Sequence, residues 1–370
     1  MTVGDIIKYL EDWAPPGVAW ERDNVGLQIG SRRKRVKNIL LCLELNQNVL
    51  DEAIYKNCNF IFTHHPLIFN PIKKLELDKD NQASLFEKII KNNISVYSSH
   101  TNLDFSIEGV SFALANTLGL KKTRFLLNEF SNQFKVVVFV PEKNLNAVSD
   151  AIFESGGGKI GNYEKCGFRL NGTGTFLGSS VSNPTIGQKE KFEQVDEVRF
   201  EFIVDKWNLT NVINAVIKTH PYEEPAYDVY PLQNMNIKYG SGTIGELDKD
   251  LSVESFLKFV SKSLSANNLR FCKGAKTKIR KVAVCGGSGS DLLTTAIEVN
   301  ADAFVTSDIK YHTFQKAEGK ILLIDAGHYE TEVVVLDTVH KKIKQHLIDE
   351  KDIKIFKYSG STNPIKYYKH

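Results

Sequence analysis

Asn59-Phe60-Ile61-Phe62-Thr63-His64-His65-Pro66 is the stretch that decides the reading of this 370-residue chain. An apolar run without strict alternation, residues 59–63, describes a strand buried on both faces. Two imidazoles stand where that strand ends, and Pro66 cannot continue the ladder. Outward from it, residues 36–43 and 94–98 read as two more such strands. Residues 47–56 and 84–92 carry the helical period between them. Short buried strands separated by helices predict a parallel sheet covered on both faces.

The pattern changes near Asn128. A strand at 134–140, closed by Pro141, is followed by an amphipathic helix at 144–154 and the Gly-rich Ser155-Gly156-Gly157-Gly158. Strands at 167–177 and 195–204, a helix at 209–219 and a strand at 226–232 complete a β-α-β-β-α-β order, which predicts a ferredoxin-like α+β unit. Beyond it the first pattern resumes. A strand at 281–285 runs into Gly286-Gly287-Ser288-Gly289-Ser290 and a helix from Asp291; strands at 303–306 and 321–325 and a long helix at 329–346 follow. The expected architecture is an α/β domain in two halves, 1–126 and 236–370, with an inserted ferredoxin-like domain at 127–235.

Composition bounds the function classes. Hydrophobic residues make up 42% and charged residues 25%, which suits a soluble globular protein with a sizeable core. The net charge of +3 points to no polyanionic partner such as nucleic acid, and Arg32-Arg33-Lys34-Arg35 reads as a solvated loop. The five cysteines, Cys42, Cys58, Cys166, Cys272 and Cys285, form no Cys-x-x-Cys pair. This is reduced, cytosolic usage. No basic-then-apolar leader and no run of about 20 apolar residues is present, so a cytoplasmic protein with no membrane partner is expected.

Chemistry gathers at the strand ends. His64 and His65 follow one strand, Ser98-Ser99-His100-Thr101-Asn102-Leu103-Asp104 another, and Asp325-Ala326-Gly327-His328 a third. His328 and Glu332, four apart at a helix start, share a face. Ligands of open parallel sheets bind outside the carboxyl ends of the strands. Imidazole with carboxylate suits zinc, iron, manganese, nickel or cobalt rather than a thiol-loving metal. His64, His65, Asp104, His328 and Glu332 exceed what one tetrahedral ion needs and suit two divalent ions sharing a bridging carboxylate. A single histidine beside a core is usually only a hydrogen-bonded side chain. Four of the nine histidines gathering with acidic companions is not accounted for that way. His100 belongs to this gathering either as a further member or as a group that fixes Asp104.

Other features carry competing readings. The Gly-rich turn after Cys285 lacks the Walker lysine, and reads equally as a tight turn or a phosphate cradle. Cys285 has no base paired with it in sequence and is not expected to be a nucleophile. Asp308, Lys310 and His312 open a helix after a strand; Asp308 reads first as its N-cap. Tyr222-Glu223-Glu224 reads first as a rigid Pro-bounded turn and second as the wall of a ligand pocket.

The strings Asp23-Asn24-Val25-Gly26-Leu27, Thr63-His64-His65-Pro66-Leu67-Ile68-Phe69, His100-Thr101-Asn102-Leu103-Asp104, Lys310-Tyr311-His312 and Gly327-His328-Tyr329-Glu330-Thr331-Glu332 together resemble the Nif-three-like family, often called GTP cyclohydrolase 1 type 2. The resemblance spans both α/β halves. The segment ending in His220-Pro221-Tyr222-Glu223-Glu224-Pro225-Ala226-Tyr227-Asp228 looks like the insert of the longer bacterial members, related in fold to PII-type signalling and copper-tolerance proteins. The resemblance implies a dinuclear centre, at positions matching His64, His65, Asp104, His328 and Glu332, facing the inside of a ring-shaped homohexamer. Arg22 stands where an aromatic is usual, Glu44 where an aspartate ends the first strand, and Ser307 where glycine is common.

Two functions follow from this. The first is a metal-dependent hydrolase acting on a nucleotide-like small molecule, with GTP ring-opening as the family's named reaction. The second is a metal-containing ring that binds or regulates another macromolecule, with the insert as sensor.

Overall fold

The computed structural model describes residues 1–128 and 131–368, and these divide into two compact units: Met1–Leu127 with Tyr239–His370, and Asn128–Lys238. The larger unit is mixed α/β and holds two sheets. The first has the spatial order Gly26–Ile29, Ser95–Ser98, Phe60–Thr63, Asn38–Cys42, Lys354–Lys357. Its last four strands are parallel, and Gly26–Ile29 adds an antiparallel edge. The second runs Arg270–Cys272, Leu322–Asp325, Ala303–Ser307, Lys278–Ser288, Gly240–Ser252, Lys121–Asn128. Ala303–Ser307 pairs parallel with both of its neighbours, Lys278–Ser288 and Leu322–Asp325; Arg270–Cys272 pairs antiparallel with Leu322–Asp325, and Gly240–Ser252 antiparallel with Lys278–Ser288. The sequence reading of a parallel sheet therefore holds for the centre of each sheet and for the Lys354–Lys357 edge, and fails at Gly26–Ile29, Arg270–Cys272 and Gly240–Ser252.

Successive residues of the buried strands feed opposite faces. Ile39, Leu41, Phe60, Phe62 and Tyr97 pack on one side with Val3, Ile6, Ile7 and Leu10 of helix Val3–Trp13 and with Val335, Val339 and Ile343 of helix Val335–His346. Leu40, Cys42, Ile61 and Val96 pack on the other side under helices Gln47–Tyr55 and Asn81–Lys91. This is why residues 59–63 show no alternation. Helix Val3–Trp13 starts in a capping box: Asp5 N donates to Thr2 Oγ1 and Thr2 N to the Asp5 carboxylate.

The two halves are exchanged at their margins. Lys354–Lys357, near the C-terminus, completes the first sheet beside Asn38–Cys42. Lys121–Asn128 joins the second sheet, and Leu114 and Leu118 of the preceding segment enter that sheet's core.

Two local expectations need correction. The strand expected to stop at Cys285 continues to Ser288, and a 3-10 turn at Ser290–Leu292 precedes helix Leu293–Glu298. The long helix expected at 329–346 is two, His328–Glu332 and Val335–His346. The break separates a short helix that carries site residues from one that covers the core.

The second unit has the order Gln133–Pro141, Leu145–Glu154, Phe168–Leu177, Phe192–Asp205, Leu209–Thr219, Tyr227–Pro231. Its sheet runs Phe168–Leu177, Phe192–Asp205, Gln133–Pro141, Tyr227–Pro231, with every pairing antiparallel. Val136, Val138, Val198, Phe200 and Phe202 face its two helices and form the core. Among the described residues no helix is long and apolar enough to cross a membrane.

Candidate metal centre

Each imidazole of the cluster is placed by the end of a strand. Thr63 closes a strand, and the amides of His64 and His65 continue the ladder by donating to Cys42 O and Leu43 O. With Pro66 next, the chain turns and both rings face one space, their centroids 5.0 Å apart. His100 follows Ser95–Ser98, its ring 5.2 Å from His64 and 5.4 Å from His65. Gly327, at φ +92, lets the chain turn into helix His328–Glu332. One turn of that helix brings His328 Nε2 to 3.0 Å from Glu332 Oε1.

The four rings share one hydrogen-bonding scheme. Nδ1 of His64 lies 2.8 Å from Ser99 O, that of His65 2.9 Å from Glu44 Oε1, that of His100 3.0 Å from Asp23, and that of His328 2.5 Å from Asp308 Oδ2. Every partner is an acceptor, so every Nδ1 carries the proton and donates it. Nε2 is left as the inward nitrogen. Histidines that ligate metals are held in this way, with the outward N–H on a carboxylate or carbonyl.

Carboxylates fill the space the Nε2 atoms face. Glu332 Oε2 lies 3.0 Å from His65 Nε2, and Oε1 lies 3.9 Å from His64 Nε2. Asp104 Oδ1 lies 3.6 Å from His64 Nε2. His64 Nε2 and Asp104 Oδ1 are buried without a hydrogen-bond partner. Such orphaned atoms are costly unless a cation lies between them. His64, His65 and His100 form one group whose ligand atoms all lie within 4.8 Å of one another; His65, His328 and Glu332 form a second. Nitrogen and oxygen donors without a thiolate fit zinc, iron, manganese, nickel or cobalt.

The electrostatics of the metal-free centre follow from its crowding. Burial drives the His64 imidazole down to about 3, so it stays neutral. Burial, then Glu332, raises the Asp104 carboxyl well above its ordinary value. Burial opposes charge on His65 too, but the Glu332 and Glu44 carboxylates outweigh it and raise that ring to about 10. Glu332 raises His328 to about 9 against burial, with Asp308 adding to it. Glu332 itself is lowered: burial resists its charge, and His328 and His65 overcome that resistance. The cluster thus holds protons on groups that could hold a cation.

A metal must displace those protons. A ligating imidazole or carboxylate is unprotonated, whereas His65, His328 and Asp104 retain their protons at pH 7 in the metal-free chain. Loading with Mn or Zn at pH 7 should release about one to three protons per chain, and apparent affinity should rise with pH up to about 9. Calorimetric titration in buffers of different ionisation enthalpy measures the count. Zero release would contradict the protonation pattern described here.

The structure also brings in residues that the sequence reading set aside or misplaced. His100 was expected either to join the gathering or to fix Asp104; its Nδ1 hydrogen-bonds Asp23, and its ring stands with His64 and His65. Asp23 also accepts from the Thr101 amide and hydroxyl. Asp308 was expected to cap a helix. That helix starts at Tyr311 after Lys310 with no side-chain cap, and the Asp308 carboxylate serves His328 instead. Glu44, noted only as a departure from a family pattern, holds His65 and is itself gripped by the Thr362 hydroxyl. Lys310 is exposed, and His312 Nδ1 bonds Gln315 on its own helix, so neither is drawn into the cluster. The Cys285 thiol is pushed up to about 12 by burial and then by Asp104, which excludes a resting thiolate.

The Gly-rich turn proves to be neither an anion cradle nor merely a loop. The amides of Gly286, Gly287 and Gly289 are taken by Ser111 Oγ, Thr331 Oγ1 and Thr306 Oγ1. Gly287 has φ +63, and a Cβ there would lie 2.2 Å from Glu332 Oε1. The glycine makes room for the carboxylate. Gly287→Ala should lower metal affinity at least about tenfold while leaving the circular dichroism spectrum intact, because it displaces a ligand-side oxygen rather than the core. Competition with a chelating dye reads the affinity.

Beside the cluster lies a cavity of about 630 Å³ lined by Glu44 and His65 and by the amides Asn46, Gln47, Asn81 and Gln82.

The chain is similar to known proteins along nearly its whole length. The family described as Duf34/NIF3 (NGG1p interacting factor 3) matches residues 1–364. The chain is 37% identical over 366 residues to the GTP cyclohydrolase 1 type 2 homolog of Halalkalibacterium halodurans, covering 98% of each chain. It is 36% identical over 365 residues to that of Bacillus subtilis, covering 98% of this chain and 97% of the relative. Among solved structures, the Bacillus cereus protein related to NIF3 superposes with a TM-score of 0.80 at 37% identity, covering 100% of this chain and 99% of the other. Staphylococcus aureus protein SA1388 gives 0.78 at 30%, with the same coverage.

Proposed function

The chain belongs to the Duf34/NIF3 family, and from that premise we propose that it is a metal-dependent hydrolase of a nucleotide-like small molecule. Two divalent ions are assigned to His64, His65, Asp104, His328 and Glu332. The observation that carries this is the common scheme of the rings, Nδ1 engaged outward and Nε2 inward, around carboxylate oxygens that lack partners. The two oxygens of Glu332 face different histidines, which suits a carboxylate shared between two ions. Bound there, divalent ions would supply Lewis acidity, acidifying water and polarising a substrate bond.

The remaining steps belong to the chain's own residues. Glu44 and Asp308 hold the Nδ1–H of His65 and His328, so loss of the proton on Nε2 leaves each ring already oriented. Burial raises Asp23, but His100 and Thr101 outweigh it and lower it to about 2. Asp23 therefore stays ionised and orients the His100 ring through its Nδ1. The amides around the neighbouring cavity offer donors and acceptors to a heterocyclic base, which supports the nucleotide-like class.

The test uses full-length chain loaded separately with Mn, Zn and Fe and given GTP, other nucleotides and phosphoesters, with products separated by chromatography. Turnover should vanish on chelation and in His64→Ala, and should rise between about pH 6 and 8. A fully loaded chain without turnover on any substrate would remove the hydrolase reading and favour a metal-containing binding protein. The ferredoxin-like reading of Asn128–Lys238 is supported by its element and strand order. A hexameric ring would appear in light scattering at six times the chain's 41.7 kDa.

A further inference from the structure

A second cavity, of about 800 Å³, lies wholly within the Asn128–Lys238 unit. Its lining includes the rings of Phe139, Phe176 and Tyr222 and the carboxylates of Glu197, Glu223 and Glu224. No lysine, arginine or histidine is among the residues that line it. The volume is that of a small-molecule site.

Its walls are fixed to one another. Asn183 N donates to Glu223 Oε1 at 2.8 Å, and Thr185 Oγ1 donates to Pro221 O at 2.7 Å. The loop around 179–186 is thereby tied to the turn that carries Tyr222. His220 locks that turn: its Nε2 donates to Phe139 O at 2.9 Å, and its Nδ1 accepts from Tyr222 N at 3.1 Å. Gly174 clears space for Glu197, since a Cβ there would lie 2.2 Å from Oε2. Burial, then the Glu197 carboxylate, raises the Tyr222 phenol, so it stays an uncharged hydroxyl. The nearby cations are engaged elsewhere. Arg199 pairs with Glu201 and lies 5.9 Å over the Phe139 ring, Lys191 pairs with Glu193, and Lys189 donates to Ser180 O.

Three carboxylates without a counter-charge repel phosphates and carboxylates. Aromatic faces and an aliphatic wall do not suit a bare hydrated metal ion. Aromatic faces attract ammonium groups, and carboxylates pair with them. We propose that this cavity binds an organic cation, a primary ammonium group on an apolar body, in a site separate from the metal centre. The sequence reading of Tyr222-Glu223-Glu224 as a plain turn is thereby extended: the turn is rigid, and it is rigid as a pocket wall.

The probe is 2-phenylethylamine, titrated calorimetrically into the full chain, against its neutral N-acetyl derivative. The amine should bind at least about tenfold more tightly than the acetylated compound. Glu197→Gln should weaken the amine about tenfold and Glu224→Gln, at an exposed position, about threefold, with metal content unchanged in both. Affinity in Glu332→Ala should equal that of the parent chain, which separates this cavity from the acidic metal centre. If Glu197→Gln does not fold, Glu224→Gln decides. Equal binding of amine and amide, undiminished binding in the folded variants, loss in Glu332→Ala alone, or no binding of the amine would each overturn the proposal.

Discussion

Glu332→Ala should purify with its metal affinity reduced by more than about a hundredfold, the largest effect expected of any single substitution in this chain. Its two oxygens face His64, His65 and His328, and the residue is buried. Removing it leaves His65 and His328 with only Glu44 and Asp308 to stabilise their charge. Their pKa values should fall back toward the ordinary histidine range, so the variant should also release fewer protons on whatever residual loading occurs. Emission spectrometry after dialysis measures the metal. A Glu332→Ala chain that keeps its full complement would remove this carboxylate from the centre and with it the shared-ligand arrangement.

Ending the chain at Asp352 should lower its melting temperature by roughly 10 °C, through the loss of about 4 kcal/mol. The truncation strips Lys354–Lys357 from the first sheet and exposes the Asn38–Cys42 edge. Ile353 and Ile355 leave one face of the core, and Phe356 and Tyr358 leave the other. It also deletes Thr362, whose hydroxyl grips Glu44, and Ser359, which bonds Glu52. A melt of the truncated chain, set beside that of Thr362→Val, separates the two contributions. Thr362→Val should melt like the full chain and lose only metal affinity. An unchanged melt after truncation would mean that the last strand adds nothing to stability.

Much of this arrangement is legible in the residues themselves. Buried strands such as Phe60–Thr63 announce themselves because both faces are apolar, and the candidate ligands at their ends are visible as imidazoles beside Pro66 or four apart at a helix start. What stays hidden is whatever depends on contact between distant segments. Asp23 is 77 positions from His100, and Asp308 is 20 from His328. Nothing local distinguishes such a carboxylate from a helix cap or a surface charge. The antiparallel edges are hidden for a related reason. Gly26–Ile29 and Arg270–Cys272 are short and half exposed, and only pairing makes them strands. Gly287 signalled a turn, but its reason, the approach of Glu332, lies 45 residues onward and is steric rather than compositional.

The exchange of margins between the halves sets a clock on biosynthesis. The amide of Lys354 bonds Asn38, a partner made 316 residues earlier. At about 5 to 20 residues per second, the ribosome needs roughly 15 to 60 s to deliver the strand that covers that edge. Throughout that interval the nascent first sheet presents an unpaired edge of the kind that recruits other strands. His64, His65 and Asp104 likewise precede His328 and Glu332, Asp104 by 224 residues (328 − 104). Cells that make this protein quickly should therefore need a chaperone to shelter that edge until Lys354–Lys357 arrives.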